Sequence, residues 1–120
     1  MKQSHEFDLL NQWASLPDDE VEKLITTEAI TTLQQAVELL SDESKSKVIV
    51  NRGNFIATVR EMRKLYAVGS RLLGQAILEA SDWMDKQEPI KARQTYERFL
   101  SSCVSKFYRD IARNQLRKIP

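Results

Sequence analysis

The feature that most restricts the fold of this chain is a helical apolar period that runs from Phe55 to Met84 without a proline. Apolar side chains recur there every three or four residues, the spacing that aligns them on one face of an α-helix. The period lasts for about eight turns. Gly69 and Gly74 fall within it, where each either weakens the helix or lets a neighbouring helix approach closely. Because such a helix must cover its apolar stripe, the sequence predicts an all-α bundle with a long central helix.

Composition supports the same fold class. The 120 residues include only three Gly and three Pro, which is too few for a turn-rich β fold. A chain of this length buries one core without disulfides or metals. We therefore expect residues 1–120 to form a single helical domain, a compact bundle of about five helices with a long C-terminal helical segment.

Sequence features also bear on the cellular compartment. The only cysteine, Cys103, has no partner for an internal disulfide, as is usual in a reducing environment. The chain begins at Met1 without the apolar run of a signal peptide, and no stretch reaches the roughly eighteen apolar residues of a membrane span. We expect a cytoplasmic protein with no membrane partner.

The N-terminal part predicts shorter helices. Ser4 is a candidate cap for a first helix, and Ser15 is a candidate cap for a second helix that has Pro17 in its first turn. Apolar spacing continues to about residue 40, so the pattern leaves open whether residues 15–41 form one helix or two.

The segment before the long helix is ambiguous. Its β-branched residues 48–50 have some strand character. We favour the end of a helix, with Gly53 as its terminator and Asn54 as the cap of the long helix.

The last segment carries another apolar stripe. Pro89 suits the start of a helix. Ser101 and Ser102 leave open whether one helix or two follow. Cys103 lies among apolar residues, and free cysteines of this kind are more often core residues than nucleophiles.

Aromatic residues lie on or near these stripes. Tyr66, Tyr96 and Tyr108 are of the type that stacks on bases in single-strand binders. Their position on the apolar faces favours core packing instead.

Charge is segregated along a chain whose net charge is only +1. Residues 1–50 hold four Lys/Arg against ten Asp/Glu, and residues 75–90 hold one against four. Residues 51–74 hold five Lys/Arg against one acid, and residues 91–120 hold eight against two. Such asymmetry is typical of a polyanion-binding face, although unlike segments can also simply pack against one another.

Most of the basic residues fall on helical stripes. Six positions of the last segment lie within roughly a 100° arc, and a second group clusters on one side of the long helix. Two such stripes can line one groove for a phosphate backbone, and Arg suits phosphate oxygens well. The candidate nucleic-acid-binding residues are Arg52, Arg60, Arg63, Lys64, Arg71, Lys91, Arg98, Lys106, Arg109, Arg113, Arg117 and Lys118.

Two other interpretations fit the same residues. A Lys/Arg run on an amphipathic helix is often an ordinary solvated face. Alternatively, the C-terminal stripe docks on the acidic residues 18–28 of a neighbouring subunit.

Catalytic signatures are missing from the sequence. His5 is the only histidine, and we find no glycine-rich phosphate loop, Ser/His/Asp set or metal-spaced cluster. The carboxylates of "DDEVE" suit the electrostatics of a helix start. We therefore expect a non-enzymatic protein with no cofactor and no metal.

The C-terminal half resembles a known family. The stretches "YAVGSRLLGQAILEAS" and "ARQTYERFLSSCVSKFYRDIARNQLRKI" are similar to the helical end of the large subunits of type I CRISPR surveillance complexes (Cascade). In several subtypes that end is also made separately as the small subunit. The resemblance covers about half of the chain and includes no position-specific motif, so it assigns a role to no individual residue.

The resemblance implies a non-catalytic subunit that assembles in several copies with other subunits of the complex. Its partners would be the guide RNA and the backbone of target and non-target DNA, in a system where base pairing reads the sequence. Two other functions stay open. One is a helical protein–protein adaptor with no nucleic-acid role. The other is a small DNA-binding regulator, although no clear helix-turn-helix is evident.

Overall fold

The computed structural model describes residues 5–42 and 44–120. This part of the chain is all-α, which confirms the predicted fold class, and it contains six α-helices rather than about five. The helices are α1 (His5–Ala14), α2 (Asp18–Glu22), α3 (Thr27–Leu40), α4 (Phe55–Asp85), α5 (Pro89–Ser102) and α6 (Lys106–Arg117). A 3-10 turn, Arg52–Asn54, directly precedes α4.

The first half of α4 packs against α1 and α3. α1 runs antiparallel to α4, because the Phe7 and Tyr66 rings meet with centroids 5.3 Å apart while Trp13 meets Phe55 at 5.2 Å. α3 packs on both α1 and α4. These three helices form one half of the molecule.

The second half of α4 packs against α5 and α6. α5 returns antiparallel along α4, where Arg98 pairs with Glu79 at 2.9 Å. α6 then runs parallel to α4, from Tyr108 beside Gly69 to Ile119 beside the last turns of α4. α4 is therefore shared by two three-helix halves arranged end to end.

This arrangement makes the molecule long and narrow, with extents of 53 × 26 × 20 Å. One hydrophobic cluster nevertheless continues through both halves. The Phe107 ring of α6 contacts the Phe7 ring of α1 with centroids 4.8 Å apart, so the core bridges the two halves on one flank of α4.

Tyr108 fixes the point at which α6 crosses α4. Its ring lies so close to Gly69 that a Cβ atom there would be 2.2 Å from Tyr108 Cε2. Its hydroxyl donates a hydrogen bond to the Tyr66 carbonyl at 3.0 Å and lies 2.7 Å from Ser70 Oγ. Burial raises the pKa of the Tyr108 hydroxyl to about 12, so the phenol remains a protonated donor near neutral pH.

Several side chains predicted to be in the core are buried. The exposed fractions are 4% for Tyr96, 3% for Tyr108 and 6% for Cys103. The core interpretation is thus confirmed for these three residues, whereas Tyr66 is only partly buried.

Residues 15–41 form two helices, because the chain breaks between α2 and α3. Thr26 caps α3 by accepting a hydrogen bond from the Ala29 amide at 3.0 Å. The predicted role of Ser15 is wrong: its hydroxyl donates to the Gln12 carbonyl at 2.7 Å, and Pro17 is the N-cap residue of α2. The predicted cap at Ser4 lies outside the described residues.

The predicted helix end at residues 48–50 is also wrong, since residues 46–51 have no helical structure. The Gln34 side chain holds this segment by donating to the Val48 carbonyl and accepting from the Val50 amide. Gly53 lies inside the 3-10 turn rather than ending a helix. The turn is stabilised by Asn51 and Asn54, whose side chains accept hydrogen bonds from each other's backbone amides. Asn54 occupies the N-cap position of α4 without a side-chain capping bond.

The last segment is divided into α5 and α6. Pro89 is at the start of α5, as predicted. The helix ends at Ser101 and Ser102, whose hydroxyls bond back to carbonyls of the preceding turn. Ser105 then donates to the Leu40 carbonyl at the end of α3, which anchors the connection between α5 and α6 to the N-terminal half.

The two glycines of α4 make a matched test of this packing. We expect Gly69→Ala to lower the free energy of unfolding by about 1–3 kcal/mol, because the new methyl group overlaps the Tyr108 ring. Gly74→Ala should raise it by about 0.5–1 kcal/mol, because a Cβ at Gly74 meets nothing within 4 Å. Urea unfolding followed by circular dichroism measures both, and equal effects would contradict the close approach at Gly69.

Candidate functional site

Arg60 and Arg52 stabilise the N-terminal half of the fold through hydrogen bonds to backbone carbonyls. Arg60 donates to the carbonyls of Ala14 and Leu16, at 2.9 and 2.8 Å, and to Asp18 Oδ1 at 2.7 Å. It therefore satisfies the last carbonyl of α1, which has no helical partner, and a carbonyl of the connection to α2. Arg52 donates to another backbone carbonyl, that of residue 25, at 2.7 Å. Both guanidinium groups hold the connections around α2 against the long helix.

Arg109 has a similar role at the end of α5. Its guanidinium donates to the Leu100 carbonyl and, at 2.9 Å, to the Cys103 carbonyl. These are among the last carbonyls of a helix, which need a partner from outside the helix. Arg109 therefore positions the reversal between α5 and α6.

Two more basic residues of α6 are partly neutralised by one acid. Lys106 Nζ lies 2.6 Å from Asp110 Oδ2, and Arg113 Nη1 lies 3.0 Å from Asp110 Oδ1. The Lys106 hydrogen bond, assisted by Arg113, lowers the pKa of the Asp110 carboxyl. This acid reduces the net positive charge that α6 presents.

The predicted basic residues of α5 also have partners. Arg98 pairs with Glu79 at 2.9 Å, and both side chains are largely exposed. Lys91 Nζ lies 4.6 Å from the centroid of the Trp83 ring, which Lys86 also approaches at 5.0 Å. These contacts lie along the boundary between α4 and α5.

The remaining predicted residues are exposed at two separate places. Arg63, Lys64 and Arg71 lie in the middle turns of α4, and the Arg63 guanidinium is 5.5 Å from the Tyr66 ring centroid. Arg117 and Lys118 lie at the C-terminal end of α6.

The structure does not bring the two basic stripes into one groove. Tyr108 and Gln115 face α4, whereas Arg109 faces α5 and the other basic residues of α6 follow it on that side. Lys64 and Arg71 point away from the buried stripe of α4. The two basic faces therefore lie on different sides of the molecule.

A second pattern on α4, which the basic residues alone do not reveal, defines an exposed surface. Exposed residues recur every three or four positions along the side of α4 that is opposite the core. This spacing is typical of a helix face that packs against another helix. We call this surface the outer face of α4, and it consists of Lys64, Ala67, Arg71, Gly74, Leu78, Asp82 and Asp85.

The outer face changes character along its length. It is basic at Lys64 and Arg71 and acidic at Asp82 and Asp85, with Gly74 and the apolar Leu78 between them. Leu78 is 70% exposed, and Val68, at the margin of the face, is 47% exposed. The sequence signal for this surface is the second 3-4 spacing on α4 together with the change of charge sign along it.

Comparison with known proteins identifies a family for this chain. A family model described as a protein of unknown function (DUF2379) matches residues 10–119. The chain belongs to this family. No curated protein and no solved structure matches it.

Among residues 5–42 and 44–120 of this DUF2379 protein, no helix combines the length and the hydropathy of a membrane span. No group of three or more His, Cys, Asp or Glu side chains in that same part of the chain is placed to hold a metal ion.

The free energy of unfolding distinguishes basic residues that stabilise the fold of this DUF2379 protein from basic residues that are only exposed. We expect Arg109→Gln to lower the free energy of unfolding by about 1–3 kcal/mol, because it leaves helix-end carbonyls unsatisfied. Arg117→Gln removes an equal charge from an exposed position and should change it by less than about 0.5 kcal/mol. Urea unfolding checks both, and an Arg109 variant as stable as the wild type would mean that its guanidinium has no structural role.

Proposed function

We propose that this protein is a non-catalytic helical adaptor that binds another protein through the outer face of α4. The observation that carries the proposal is the exposure of Leu78, at 70%, on a regular helix whose opposite side is fully packed. Val68, at the margin of the face and about 15 Å from Leu78 along the helix, is a second exposed apolar side chain. Apolar side chains with a charged rim on a helix are typical of a surface that docks on a protein.

The packing of the buried side of α4 also favours docking at the outer face. The buried stripe of α4 contacts helices of both halves, so the outer face is held on a rigid backbone before any partner arrives. Preorganisation of this kind reduces the entropy lost on association. The functional surface is then a recognition element, and the proposal assigns no chemical step to any residue.

The internal use of the basic residues favours the adaptor over a nucleic-acid groove. Arg52, Arg60 and Arg109 donate to backbone carbonyls, and Asp110 pairs with two cations of α6. The charge that remains for an external polyanion is thus smaller than the sequence suggests.

Site-specific photo-crosslinking tests the adaptor function. A photo-activatable amino acid is placed at Leu78, or at Ile90 as a control of matched type and exposure, 69% against 70%. In the native host we expect a discrete protein adduct from position 78 and none from position 90. A nuclease-sensitive adduct at position 78, or equal labelling from both positions, would contradict the proposal.

Binding of nucleic-acid backbone is a second candidate, as expected for a cytoplasmic small subunit of a type I CRISPR surveillance complex. The observation that favours it is the group Arg63, Lys64 and Arg71, which are exposed within about 12 Å of helix length. Three phosphate contacts would give a log–log salt slope of about −2 for single-stranded DNA. No base-specific side chain is needed for this role.

Fluorescence anisotropy with labelled single-stranded DNA tests the second candidate. We expect Lys64→Glu/Arg71→Glu to abolish salt-sensitive binding, whereas Arg117→Glu/Lys118→Glu, with the same change of charge, should retain it. Substitution of Arg109 is unsuitable for this purpose, because its guanidinium supports α5. Failure of the wild type to bind at low salt would exclude backbone binding by the isolated protein.

A further inference from the structure

We infer that the outer face of α4 binds the same face of a second copy of the chain, antiparallel about a two-fold axis next to Gly74. The inference rests on the proposed adaptor function, since it names the partner of that docking surface. A two-fold arrangement uses one self-complementary patch on both subunits and closes as a dimer.

Charge order along the helix selects the antiparallel orientation. The outer face is basic before Gly74, at Lys64 and Arg71, and acidic after it, at Asp82 and Asp85. In a parallel pair, like charges would face each other along the whole length. In an antiparallel pair, the basic end of each copy lies towards the acidic end of the other copy, which favours association and suppresses wrong registers.

Distances along the helix place the charges opposite one another. At a rise of about 1.5 Å per residue, Lys64 lies about 15 Å before Gly74 and Asp85 about 17 Å after it. Lys64 of one copy therefore lies opposite Asp85 of the second copy. Arg71 lies about 5 Å before Gly74 and Asp82 about 12 Å after it, an offset that the long Arg side chain can span.

The middle of the face suits a close helix crossing. A Cβ at Gly74 would meet no atom of the chain within 4 Å, so the space above it is open. Small residues at positions 67 and 74 let two helix backbones approach, as glycine does elsewhere at close contacts. Leu78, exposed at 70% in the single chain, would then be covered by the second helix.

The size of the surface indicates a weak dimer. The outer face from Lys64 to Asp85 is about 32 Å long and about 10 Å wide, on a helix of ordinary dimensions. Such an area falls below the roughly 800 Å² per partner of standard stable interfaces. We therefore expect weak association that depends on protein concentration.

Sedimentation velocity over a concentration series tests the pairing with two charge-reversed variants. The acidic variant is Lys64→Glu/Arg71→Glu, and the basic variant is Asp82→Lys/Asp85→Lys. Each alone should dimerise more than about tenfold more weakly than the wild type, because like charges then face each other. An equimolar mixture should form a heterodimer, because every facing pair in it is complementary.

Controls separate this pairing from general charge effects. Lys45→Glu/Lys47→Glu makes the same change of net charge in the segment that Gln34 of α3 holds, away from the outer face, and should dimerise like the wild type. A wild type that stays monomeric throughout the series would overturn the inference, and so would a mixture that forms no heterodimer.

Disulfide trapping provides an independent measurement. Gly74→Cys places a thiol next to the proposed axis and should give a covalent dimer under mild oxidation, while the native Cys103 is buried. Gln94→Cys, at an exposed position of α5, is the control and should give none. Equal trapping at both positions would contradict the assigned axis.

The outcomes distinguish this inference from the adaptor function. If the wild type is monomeric but position 78 crosslinks to a different protein, the self-pairing is wrong and the adaptor function stands. If position 78 gives no protein adduct and the chain is monomeric, both are wrong.

Discussion

The contact of Tyr108 with Gly69 is the constraint on which the rest of the structure depends. It is the place where α6 meets α4, in the middle of the long helix and at the boundary between the two three-helix halves. The ring requires a residue without a side chain beneath it, and the buried hydroxyl requires the Tyr66 carbonyl as acceptor. Because α6 also carries Phe107 against Phe7 of α1, this one crossing sets the positions of both halves along a common spine.

The charge distribution follows from that architecture. Two halves that share only one helix leave several chain reversals with unsatisfied carbonyls, and Arg52, Arg60 and Arg109 donate to them. Arginine suits this role because it carries several donors in a fixed fork and stays charged. Part of the basic charge of the segments 51–74 and 91–120 therefore serves the fold itself. The recognition that we propose uses the charge on surfaces that no reversal uses, above all the outer face of α4.

How much of the structure could be predicted from the sequence depends on how far apart in the sequence the interacting residues lie. The bounds of α4 follow from its period, because a stripe of about eight turns leaves no alternative structure. The segment before α4 could not be predicted, since Gln34 holds it through contacts with Val48 and Val50 that span 14 and 16 residues. The same applies to the site. Residue type identifies the arginines, but only the fold shows which of them face carbonyls from distant segments.

The two glycines of α4 differ in whether a contact within the chain accounts for them. A glycine inside a helix costs about 1 kcal/mol relative to alanine. At Gly69 the close approach of Tyr108 offsets that cost within the chain, whereas at Gly74 nothing in the chain does so. Gly74 also lies on the face where charge changes sign and Leu78 is exposed. A second helix placed there would account for the glycine, the charge order and the exposed leucine together.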